Sequence, residues 1–256
     1  MRCLLLPCTL LLAGVSIASA QDSPGYHAPD SGSRTFIAGV DVEPTPGLPF
    51  TASEGITWTR PTDGAGNITV HLEAKVMRDS NGRVYRERHA FGAPNSDPES
   101  TLQQFYVMDP VAHTVTTCIK AQRLCHMVLL GTRRAPPVPP VGPFNNGKEY
   151  LARTPLGSQS QQDLRVTGTL ETVTIQAGTF GNDQTMTLTR EFWYSPDLQI
   201  NLSVVRKDPR TGTQEIRVTL NSRSDPDPAA LKIPAGYRVI DNRPAPLRIG
   251  PPETAH

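Results

Sequence analysis

Apolar and polar residues alternate with a period of two along most of this chain. Ile68, Val70, Leu72, Ala74 and Val76 interleave with Thr69, His71, Glu73, Lys75 and Met77. Such spacing places apolar side chains on one face of a strand and polar ones on the other. The same parity rule groups Phe50, Ala52, Ile56 and Trp58, then Met186, Leu188, Phe192 and Tyr194, then Leu198, Ile200, Leu202 and Val204, then Ile216, Val218 and Leu220. No segment sustains a 3.6-residue period over three turns. Turn chemistry falls between the runs, at 63–67, Asn81-Gly82, Ser195-Pro196-Asp197 and 208–212, so consecutive strands pair as antiparallel neighbours.

Roughly nine strands joined in this way make a sheet whose apolar face must be hidden. The predicted fold is all-β: a single large, strongly curved antiparallel sheet, half-barrel or barrel-like, with at most short helices. A two-layer sandwich is the alternative. The curled sheet is favoured because the Pro-rich stretches at 133–153 and 225–251 can cover an open mouth. Short helical turns are expected after Asp97-Pro98 and at Asp227-Pro228-Ala229-Ala230-Leu231, each with an N-cap and a proline at the first helical position. Two local irregularities stand out. Residues 83–89 are polar on both parities, which places them at an edge or on a polar surface. Between Leu170 and Val173 the apolar parity changes, which predicts a bulge or sharp bend.

Met1-Arg2, an apolar run from Leu4 to Ala18, and Ala18-Ser19-Ala20 describe a secretory signal peptide over residues 1–20. The run is shorter than the ~20 residues a membrane-spanning helix needs. An extended or disordered arm is expected over 21–48, the β domain over 49–241 with the Pro-rich loop 133–153 inside it, and a Pro-rich tail over 242–256. The expected location is periplasmic or extracellular. Cleavage leaves two cysteines, Cys118 and Cys125, and a turn centred on Ala121-Gln122 sets them opposite each other on paired strands. A disulfide is therefore expected between them. Its short ring limits the stabilisation to the typical ~2–4 kcal/mol or less.

Lys plus Arg number 25 and Asp plus Glu 24, and no basic run exceeds Arg133-Arg134, so neither a nucleic-acid stripe nor a polybasic membrane patch is present. Serine in a nucleophile elbow, His-x-His and His-Glu-x-x-His spacings, and a phosphate loop are all absent from the sequence. Six residues separate Cys118 from Cys125, whereas haem attachment needs two, and an oxidised pair cannot supply thiolates to zinc. No cofactor, metal or catalytic residue is therefore expected. Glu171, Glu191 and Glu215 read as charges on a solvent face. Arg78, Arg83, Arg86 and Arg88 gather at one end of the Asn81-Gly82 hairpin, where they can contact an anion or a partner, or pair with Asp79 and Glu87. Trp193 and Tyr194 point to opposite faces, which makes Trp193 the candidate exposed aromatic. Asn67-Ile68-Thr69 and Asn201-Leu202-Ser203 match the glycosylation sequon.

Several stretches together resemble a family of uncharacterised exported bacterial proteins. They are residues 78–87, 177–183, 191–198 and 208–212, and the closing segment from Pro226-Asp227-Pro228 to Ile233-Pro234-Ala235-Gly236-Tyr237. The order of hairpins and that closing segment are also similar, more distantly, to the curved-sheet fold of periplasmic lipoprotein carriers (LolA-like). The first resemblance implies no known activity, and the second implies a hydrophobic ligand by analogy of fold. The expected function is thus a non-catalytic, exported β protein that binds an apolar small molecule, a lipid or an envelope protein along its curved sheet. A structural or interaction module of the cell envelope is the alternative, and a hydrolase the third reading.

Overall fold

The computed structural model describes residues 39–64, 66–91, 97–131 and 138–244. The expected signal peptide over 1–20, the expected arm up to residue 38 and the tail beyond residue 244 lie outside the described residues. Thirteen strands form one sheet. In chain order they are β1 (Phe50–Pro61), β2 (Asn67–Arg78), β3 (Val84–His89), β4 (Leu102–Asp109), β5 (Thr114–Ile119), β6 (Leu124–Leu129), β7 (Gly142–Phe144), β8 (Glu149–Gln161), β9 (Leu164–Ile175), β10 (Met186–Ser195), β11 (Ile200–Asp208), β12 (Gly212–Ser222) and β13 (Arg238–Asp241).

Across the sheet the order is β13-β6-β5-β4-β3-β2-β1-β12-β11-β10-β9-β8-β7. Every pairing is antiparallel except β13 on β6. Among the described residues the sheet is open, with β13 and β7 as its two edges, and it is not closed into a barrel. The only α-helical segment among the described residues is α1 (Pro98–Thr101), and a 3₁₀ turn spans Pro228–Leu231 with Asp227 as its N-cap.

With no long helix among the described residues to cover it, the apolar face is hidden by curvature. The turn between β8 and β9 shows how far the sheet curls. Gln162 reaches β12, donating from Nε2 to the Val218 carbonyl at 2.7 Å and accepting at Oε1 from the Leu220 amide at 2.8 Å. Those β12 groups lie beyond its pairing with β11, which ends at Arg217. One side-chain amide thus stands in for the missing strand. Inside the curl, Phe50, Ala52 and Ile56 of β1 join Val76, Val84, Phe192, Val204, Ile216 and Val218 in one core. Full burial of each large apolar side chain contributes about 1.5–3 kcal/mol.

The arm segment from Gly39 to Leu48 enters this core, with Val40 and Val42 buried. Its backbone is held by a buried ion pair. Arg86 of β3 and Glu54 of β1 meet at 2.5 Å; Glu54 accepts from the Val40 amide at 2.5 Å, and Arg86 donates to the Val40 carbonyl at 2.6 Å. Gly39 adopts φ of 137°, and a Cβ there would overlap the Arg86 guanidinium. A second buried cation, Arg78, donates to the carbonyls of Leu48, Glu43 and Leu198 at 2.8, 3.0 and 2.6 Å and lies over the Phe50 ring.

Three expectations need correction. The doubly polar strand is not an edge: β3 is internal, because one parity carries Arg86 into the core while the other places Tyr85 under a second cluster. The stretch 133–153 is not all loop; it supplies β7 and the start of β8, with Pro143 tolerated because β7 is an edge. The parity change in β9 is real, with Leu164, Val166 and Gly168 buried before it and Glu171 and Ile175 after it. The extra residue, however, sits in its partner β8, between Pro155 and Gly157.

Candidate ligand pocket

Cross-strand pairs of an antiparallel sheet share a face. Near the β7 edge this rule stacks two unlike rows. Leu151, Val173 and Leu188 line up across β8, β9 and β10. Two residues further along, Arg153, Glu171, Arg190 and Arg206 line up across β8 to β11. The apolar row, with Glu171, Arg190 and Arg206 of the charged row, forms the floor of a pocket of 540 Å³, walled by Pro139, Pro140, Phe144, Ile175 and Phe180. That volume lies within the range of about 300–1,000 Å³ typical of small-molecule sites.

The walls are fixed by local chemistry. Arg153 donates to the Pro139 carbonyl at 3.1 Å, which pins the Pro-rich segment over the opening. The loop after β9 is held by Asn182, whose Nδ2 donates to the carbonyls of Gln176 and Gln184 at 3.0 and 2.7 Å. Its Oδ1 accepts from the Phe180 amide at 3.0 Å, presenting the exposed Phe180 ring beside the opening. The Arg210 guanidinium lies 5.8 Å from that ring and grips Asp208 through two hydrogen bonds of 2.9 and 2.7 Å. Burial raises the Asp208 pKa, but the hydrogen bonds from Arg210 and the nearby Arg206 outweigh it and hold the carboxyl below its ordinary value.

Glu171 is buried rather than on a solvent face, and Arg153 donates to it at 3.1 and 2.7 Å. Glu149, also buried, accepts from Asn145 at 2.8 Å. Glu191 and Glu215 both pair with Val205, on the opposite face from Glu171, so these three acids do not converge.

The four arginines singled out in the sequence are not brought together. Arg78 and Arg86 are buried in the roles described above, and burial lowers the Arg78 pKa to about 10. Arg83 lies 3.2 Å from Asp109 in the β2–β3 turn, and Arg88 is exposed. Trp193 is half-buried: its Nε1 donates to Glu191 at 2.8 Å, and its ring covers Gly168, where a Cβ would come within 2.6 Å. Cys118 and Cys125 pair directly across β5 and β6 and form a disulfide. They sit with Phe105 in the second cluster, which is covered by Ile233 and Tyr237. Asn67 of the first sequon is exposed, whereas Asn201 of the second is buried.

The pocket arginines were missed by sequence reasoning, although a signal existed. Arg206 continues the parity of Ile200, Leu202 and Val204, and Arg190 sits between Leu188 and Phe192 on theirs. A charge on the apolar parity of a strand marks either a buried pair or a polar site.

A smaller recess of 200 Å³ opens where β2 and β3 part after only three paired residues. Glu87 fills that gap by accepting from the Lys75 amide at 2.9 Å and from Tyr85 at 3.0 Å, and it lies 3.1 Å from His89.

No family model matches this chain, and no curated protein matches it in sequence. Solved structures do match in outline, a LolA-superfamily protein among them. A lipoprotein, LppX, from Mycobacterium tuberculosis is 12% identical, with 71% of this chain and 91% of that one covered and a TM-score of 0.28. A LolA-superfamily protein from Nitrosomonas europaea is 10% identical, with 73% and 90% covered and a TM-score of 0.30. The MucA/MucB complex of Pseudomonas aeruginosa gives 13% identity, 74% and 58% coverage and a TM-score of 0.36. Likeness at this level is one of outline alone.

Proposed function

We propose that this chain is exported and that its β domain binds an apolar small molecule or lipid in the pocket between β7 and β11. The observation that carries the reading is the row Leu151–Val173–Leu188 at the base of a 540 Å³ space under Phe144 and Phe180. Apolar side chains facing a space of that size gain from a ligand that displaces water. Export is supported by the leader-like residues 1–20 and by the Cys118–Cys125 disulfide, a bond that persists in oxidising compartments. The three acids singled out in the sequence do not make a hydrolytic pair, because Glu171 is engaged by Arg153 and faces away from Glu191 and Glu215.

The test is titration with a neutral apolar fluorophore, N-phenyl-1-naphthylamine, of the wild type and of Val173→Trp. The wild type is expected to bind one equivalent. The indole of the variant stands in the middle of the apolar row and should weaken binding while the melting temperature stays close to wild type. Undiminished binding in a folded Val173→Trp protein would place the site elsewhere and overturn the reading.

A further inference from the structure

We propose that the groove holding residues 39–48 is a peptide-binding site, one that takes an extended segment of pattern Gly-Val-x-Val and accepts it from a second copy of the chain as well as from its own. It shares no residue with the pocket between β7 and β11. Residues 39–48 are part of none of the thirteen strands, so their release breaks no ladder. What holds them is a set of contacts to their backbone. Glu54 accepts from the Val40 amide, and Arg86 donates to the Val40 carbonyl. Arg78 donates to the carbonyls of Glu43 and Leu48, and the Gly47 amide donates to the Ser80 carbonyl at 2.8 Å. Hydrogen bonds to main-chain groups give a bound segment affinity whatever its side chains are, and pockets for alternate residues give it specificity.

Specificity here rests on Gly39, Val40 and Val42. The two valines are buried and lie two residues apart, which sets them on one face of an extended segment, while Asp41 between them is only partly buried. Gly39 has φ of 137°, and a Cβ there would lie 1.4 Å from Arg86 Nη2 and 2.6 Å from Glu54 Oε1. The domain is shaped to match. The segment crosses the β2–β3 turn at Gly82, where a Cβ would come within 2.9 Å of the Pro44 carbonyl oxygen. A groove emptied of its own arm leaves the buried Glu54–Arg86 pair without the Val40 backbone, and the same arm on a neighbouring copy supplies it. This is the exchange of an identical element between protomers.

The experiment uses the full-length protein carrying Gly39→Val, whose added side chain overlaps the Arg86 guanidinium and forces the arm out while the groove residues stay unchanged. Its melting temperature is expected to fall by roughly 10 °C. An acetylated peptide of residues 39–49, standing for the arm of a second copy, should restore about half of that loss or more and bind at one per chain in native mass spectrometry. The same peptide carrying Gly39→Val should restore nothing. Wild-type protein should ignore both peptides, because its tethered arm competes at an effective concentration of about millimolar or more. If Gly39→Val fails to fold, Gly39→Ala is the milder variant on which the same comparison is made. A variant that melts like the wild type, no rescue by the wild-type peptide, or equal rescue by both peptides would each overturn the proposal.

Discussion

The buried charges of this protein hold backbone as well as each other. A buried ion pair seldom exceeds its desolvation cost, and replacing both partners by apolar groups is often neutral or stabilising. Glu54 and Arg86 differ from that case because they also satisfy the amide and carbonyl of Val40. Glu54→Gln leaves the Arg86 charge poorly compensated and should cost about 3–5 kcal/mol. The double variant Glu54→Leu/Arg86→Met should remain destabilised, since it strands two backbone groups inside the core. Urea unfolding reads both, and a double variant as stable as the wild type would show that the pair does not anchor the arm. At this scale the sequence was least legible. Parity shows that a residue faces inward, but it cannot distinguish Arg86, which meets an acid thirty-two residues away, from an arginine beside solvent. Arg78 and Arg86 were for that reason expected together at a surface, whereas each is enclosed by segments distant in sequence.

Among the elements, the long alternating runs became strands with the expected neighbours, because the two-residue period and the turn residues between runs are local properties. Strands with weak alternation were not legible. β8 carries Pro155, Gly157 and a run of Ser and Gln, and it is a strand because β9 offers it a continuous ladder. β13 has only four residues and pairs in parallel with β6, a non-local contact that no turn signal announces. Gln162 is likewise a loop residue by sequence and a strand substitute in the fold. Gln162→Ala should free the Leu220 amide and the Val218 carbonyl at a net cost of about 1 kcal/mol each. Hydrogen exchange at the Leu220 amide is expected to accelerate while the paired residues 213–217 of β12 keep their protection. Unchanged exchange at Leu220 would show that its protection does not come from the Gln162 side chain.

At the scale of the molecule, an open sheet of thirteen strands hides its apolar face by curling and by drawing in residues 39–48, which are pinned by Arg86 and Arg78. Near the β7 edge the curl leaves a space unfilled, and the side chains facing it are apolar next to an arginine-rich row. Sequence pattern anticipated one large antiparallel sheet. It did not anticipate the pocket, because Leu151, Val173 and Leu188 become one row only through the registers of β8, β9 and β10. The most direct measurement is native mass spectrometry of the protein purified without detergent from the cells that make it, followed by solvent extraction and identification of what is released. The account predicts one apolar species per chain in the wild type and a smaller share of loaded protein in Val173→Trp. A wild-type protein that emerges bare, and stays bare after incubation with long-chain acids, would contradict it.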